Sequence, residues 1–93
     1  MALARVVTFE GVGQDRIDEM RAGMEGERPE GLPATEIMLL HDPGTETATA
    51  IVFFDNEDDY AQGAAVLESM PASDTPGRRT SVAKCEVAVR RTA

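Results

Sequence analysis

The stretch TEIMLLHDPGTETATAIVFF, residues 35–54, holds two apolar runs of strand length separated by turn residues. Ile37, Met38, Leu39 and Leu40 make the first run, and Ala50, Ile51, Val52, Phe53 and Phe54 the second. Strands 35–41 and 48–54 are predicted to form a hairpin. Between them, Asp42-Pro43-Gly44-Thr45 offers a proline at the second turn position and a glycine expected to accept positive φ. Because both runs are nearly continuous, each strand presents apolar side chains to both sides of its sheet.

Working outward, residues 3–10, LARVVTFE, are rich in β-branched and aromatic side chains and are followed by Gly11 and Gly13, which predicts a preceding strand. Ile17, Met20 and Met24 recur three and four residues apart, as on one face of a helix over 14–25, with Asp15, Asp18 and Glu19 near its positive end. Gly26, Pro29, Gly31 and Pro33 mark a loop. After Phe54, an N-cap at Asp55 or Asn56, acids at 57–59 and a stop at Pro71 predict a second helix. Its expected buried stripe is Tyr60, Ala64 and Leu67, with Ala61, Gly63 and Ala65 allowing close approach to a sheet. A last strand over 81–90 alternates Ala83, Cys85, Val87 and Val89 against Lys84, Glu86 and Arg90, which predicts a buried, inert Cys85.

The order β-α-β-β-α-β predicts one α+β domain over residues 1–93, with a ferredoxin-like four-stranded antiparallel sheet and both helices on one face. If Val52 and Phe54 lie under the helices, Ile51 and Phe53 form an apolar patch that a monomer ordinarily avoids. The economical cover is a second copy of the chain, giving a homodimeric barrel. The alternative is a monomer whose 26–34 loop folds over that face.

Nine Lys and Arg against 17 Asp and Glu leave a formal charge of -8, which disfavours nucleic acid and anionic membranes as partners. No apolar run approaches the ~20 residues of a membrane span, and no export signal is visible. Cys85 is the only cysteine, so no intrachain disulfide or thiolate metal cluster is available, and a cytoplasmic, reducing setting is expected.

Candidate chemistry is sparse. His41 is the one side chain with an ordinary pKa near neutrality, and with Tyr60 it is a weak catalytic candidate. A direct dyad of His41 with Asp42 is disfavoured, because neighbours on a strand point to opposite faces. Met20, Met24, Met38 and Tyr60 are the candidate lining of an adaptable apolar cavity between helices and sheet, although such spacing more often marks ordinary core. Arg78, Arg79, Arg90 and Arg91 are expected to pair across a dimer or to hold a carboxylate substrate. The acids at 55 and 57–59 read as helix capping. No phosphate loop, nucleophile elbow, cofactor fingerprint or metal-ligand cluster occurs, so nothing specifies an enzyme.

The order of elements, the length, the AIVFF strand leading into DNEDDYAQGAAVLESM, and the final strand together resemble the dimeric α/β-barrel superfamily, and most of all its antibiotic-biosynthesis-monooxygenase-like group. The resemblance covers the whole chain and is architectural. It implies a homodimer, and it places the chain among cofactor-independent monooxygenases, haem-degrading enzymes, isomerases, dehydratases and proteins with no assigned activity. The Trp, Asn and His residues used by the first two groups cannot be carried over, since this sequence has no Trp and one His. The expected function is cofactor-free binding or transformation of an apolar or aromatic small molecule. The alternative is a non-catalytic dimerisation or interaction module.

Overall fold

The structure is a computed structural model that describes residues 2–24, 31–69 and 77–92. Six elements follow in the expected order: β1 (Leu3–Glu10), α1 (Gln14–Met24), β2 (Glu36–Asp42), β3 (Thr47–Phe54), α2 (Glu57–Glu68) and β4 (Arg78–Glu86). The strands form one antiparallel sheet in the order β2-β3-β1-β4, a ferredoxin-like α+β fold.

Register and alternation assign the two faces of the sheet. Arg5 stands opposite Val52 and Lys84, Val7 opposite Ala50 and Val82, and Ile37 opposite Val52. On this side Val7, Phe9 and Ala48 pack with Val12 and Ile17, while Val52 and Phe54 pack with Leu32 and Ala34. The helices therefore cover the face that bears Val52 and Phe54. Residues 31–34 join the same side, so this part of the loop does not cover the other face.

That other face carries Ala4, Val6 and Thr8 of β1, Thr49, Ile51 and Phe53 of β3, Met38 and Leu40 of β2, and Ser81, Ala83 and Cys85 of β4. None of these side chains bears a formal charge. Charges appear only toward the two ends, where Glu10 pairs with Arg78 at 2.5 Å and Glu36 with Arg90. The guanidinium of Arg90 also lies 4.8 Å from the centre of the Phe53 ring, so the segment after β4 reaches across one end of this face. Met38 and Leu40 remain exposed, Leu40 at 50%.

Helix α2 starts where the sequence signals it. The Asn56 side chain caps it, accepting from the Asp59 N–H at 2.8 Å, and Glu57, Asp58 and Asp59 fill the positive first turn. Its close approach to the sheet depends on one residue. Gly63 is the buried residue of the helix, directly over the Phe54 ring, whereas Ala61 and Ala65 face solvent and play no part in the approach. Tyr60, Ala64 and Leu67 are half-buried.

Three expectations are corrected. The β2–β3 turn takes its left-handed residue at Glu46 (φ 54°), and Gly44 has no positive φ. Asp42 Oδ1 accepts from the N–H of Gly44 at 3.0 Å and of Thr45 at 3.4 Å, and this side-chain anchor holds the turn without a left-handed glycine. The last strand is Arg78–Glu86, displaced toward lower numbers from 81–90. Its partner β1 begins at Leu3, opposite Glu86, and beyond that point the contact continues only as the Val87 N–H to Ala2 carbonyl bond. Finally, Cys85 is exposed, as is every residue of β4. It lies at the sheet edge on the face without helices, so alternation placed it on a face but not under cover. Pro71, Met70, the first part of the 26–34 loop and most of the loop before β4 lie outside the described residues.

Candidate functional site

A groove of about 620 Å³ opens between α1 and β2, lined by Gln14, Ile17, Arg21, Ile37, Leu39, His41 and Pro43. It exists because Ile37, Leu39 and His41 alternate onto the helix side of β2, an edge strand, while α1 covers only part of that edge. Ile17 anchors the helix in the core alongside Val7, Phe9 and Val12.

His41 is held at the groove by the chain that enters α1. Its Nε2 lies 2.8 Å from the Val12 carbonyl, so Nε2–H donates and Nδ1 is the nitrogen with an available lone pair. Val12 is fully buried, and its own N–H donates to the Glu46 carbonyl at 2.7 Å. The imidazole is thus fixed between the β1–α1 connection and the hairpin turn. Asp42 points instead into its turn, and the two side chains form no dyad.

The other sequence candidates do not join His41. Met38 is on the opposite face of the sheet, exposed at 37%, so it shares no cavity with His41. Tyr60 packs edge-on against Phe54, ring centres 5.4 Å apart and planes at 70°, at the α2 end of the core. The Lys84 ammonium lies 5.0 Å from the Tyr60 ring centre and pairs with Glu57 at 2.6 Å. Met20 is half-buried on α1 and does not line the groove. The Met24 side chain lies outside the described residues.

Three of the four arginines near β4 are engaged within the chain. Arg78 pairs with Glu10, Arg79 with Glu68, and Arg90 with Glu36. Among the described residues no cluster of three or more His, Cys, Asp and Glu is arranged to hold a metal. No described helix is long and apolar enough to cross a membrane.

The most polar feature of the helix side is Arg5. Its side chain is 8% exposed, in the middle of β1, and Nη2 donates to Glu68 Oε1 at 2.6 Å. Glu68, at the end of α2, also accepts from Arg79 at 2.9 Å. The hydrogen bond from Arg5, followed by the charge of Arg79, holds the Glu68 carboxyl below the usual carboxylate range, against a smaller opposing desolvation. Leu3, Val7 and Phe9 share a face with Arg5, and that period of two is the signal in the sequence that places this charge inside.

Because Glu68 binds a proton less readily in the folded chain, its pairing stabilises above the ordinary carboxylate range. The contribution is lost as pH falls below the ordinary glutamate range and through the lowered value. Denaturant titrations of the parent and of Glu68→Gln are expected to differ at pH 7 and to converge as the pH is lowered beneath the carboxylate range. A difference that is constant over that range would show that the carboxylate charge contributes nothing.

Against this geometry, comparison with known proteins finds that no family model matches the chain, and that neither a curated protein nor a solved structure matches it significantly.

Proposed function

We propose that the protein is a small homodimeric binding protein of the antibiotic-biosynthesis-monooxygenase-like kind, which takes an apolar or aromatic small molecule, without a cofactor, between α1 and β2. The observation that carries this reading is the groove itself: an apolar floor of Ile17, Ile37 and Leu39 beside an imidazole whose tautomer the Val12 carbonyl fixes. A mostly apolar concavity with a few oriented polar groups is the usual form of a small-molecule site. His41 is the residue best placed to touch such a ligand and to exchange a proton with it through Nδ1. The ferredoxin-like architecture agrees with the superfamily but does not by itself specify chemistry.

The uncharged sheet face supports the homodimer. Four strands about 4.8 Å apart and roughly 25 Å long offer a flat footprint of about 480 Å² per copy. Side-chain relief brings two such faces toward the roughly 1,000 Å² in total that a specific interface needs. An apolar centre bounded by charged ends is the expected layout of such an interface. The same face supports the second reading, in which dimerisation is the whole function.

Light scattering over a dilution series, with thermal-shift screening of aromatic ligands on the same samples, tests both. The expected mass is twice the 10.0 kDa of the chain, reduced to that of one chain by Leu40→Lys with unchanged circular dichroism. A ligand at about 100 times its Kd should stabilise by about 2.7 kcal/mol, and His41→Ala should weaken that gain. A dimer that responds to no ligand favours the dimerisation module. A monomer at all concentrations removes the homodimer from both readings.

A further inference from the structure

We infer that the ligand of the α1–β2 groove carries an anionic head, a carboxylate on an apolar body, and that Arg21 recognises it; this rests on the groove being the binding site. The argument is one of local charge. The chain has 17 acids against nine bases, yet among the described residues no Asp or Glu lines this groove, whereas Arg21 does. Arg5, Arg16, Arg78, Arg79 and Arg90 are each paired with a carboxylate of the chain. Arg21 makes no ion pair among the described residues. It sits in the last turn of α1, at the groove rim.

The remaining polar groups fit the same assignment. The Gln14 amide nitrogen is already engaged by Asp18 at 3.1 Å, and His41 Nε2–H by the Val12 carbonyl. The guanidinium of Arg21 is therefore the strong donor of the groove without an acceptor among the described residues, and its planar fork matches a carboxylate through two parallel N–H···O bonds. Ile17, Ile37 and Leu39 behind it take the apolar body. A cation at this position is repelled by Arg21, and a neutral isostere forfeits the charge-assisted bonds.

Titration calorimetry of the full chain with 2-naphthoate and with 2-naphthamide tests the assignment, since the two share a body and differ in the charge of the head. Naphthoate is expected to bind about ten-fold more tightly. That ratio should fall to about one in Arg21→Gln and persist in Arg91→Gln, which removes the same charge from an exposed position that does not line the groove. Equal affinity of the two probes, or a preference that survives Arg21→Gln, overturns the assignment while leaving the groove as the site. Binding of neither probe overturns the groove reading together with it.

Discussion

Gly63→Ala is expected to lower stability by about 2 kcal/mol and Tm by roughly 10 °C, although alanine is the better helix former. The new methyl would fall inside contact distance of Phe54 Cε1 and Cζ and lie 3.3 Å from a methyl of Leu32. Phe54 is fully buried and Leu32 nearly so, so neither has a free direction in which to yield. The helix must lift from the sheet or the ring must leave its rotamer, at about 3 kcal/mol, against about 1 kcal/mol gained in helix propensity. Thermal and denaturant unfolding measure the difference. An unchanged or raised Tm would mean that α2 does not rest on Phe54.

Phe54→Ala should be still more damaging, about 4 kcal/mol, or roughly 20 °C in Tm. The ring is fully buried, packs among Leu32, Ala34 and Val52, and receives the edge of Tyr60. Its removal leaves a cavity under the helix. Combining the two substitutions gives the sharper test. With the ring gone, Gly63→Ala should become neutral or stabilising by up to about 1 kcal/mol. Additive losses in the double variant would show that the glycine and the ring do not meet.

Much of this arrangement is legible in the residues, and the failures share a cause. Element order, a helix cap at Asp55 or Asn56, of which the structure uses Asn56, and the assignment of Val52 and Phe54 to one face follow from patterns contained within single segments. The end of β4 does not, because a strand stops where its partner stops, and among the described residues β1 offers Val87 one bond at Ala2. Alternation gives the side of Cys85 but cannot say whether any layer covers the sheet edge. Parity alone separates Met38 from His41, three residues apart on one strand; grouping them in a cavity relied on residue type. Arg5 follows the same parity onto the face of Leu3, Val7 and Phe9, where a lone charge in an apolar run invites a solvent-facing assignment. Arg21 and Gln14 have no local signature, since their joint position depends on how α1 crosses β2.

The strand order β2-β3-β1-β4 also governs assembly on the ribosome. The β2–β3 hairpin is local, and β1 can dock on β3 once residues up to 54 have emerged. The second edge of β1 waits for β4, whose Glu86 partners Leu3 across almost the whole chain. Until then the inner strand of the finished sheet is an outer one, and Arg5 lacks Glu68 while the end of α2 is incomplete. Closure of β4 brings Arg79 to the Glu68 carboxylate that Arg5 already holds, so the strand pairing of longest sequence separation is the last of the sheet to form.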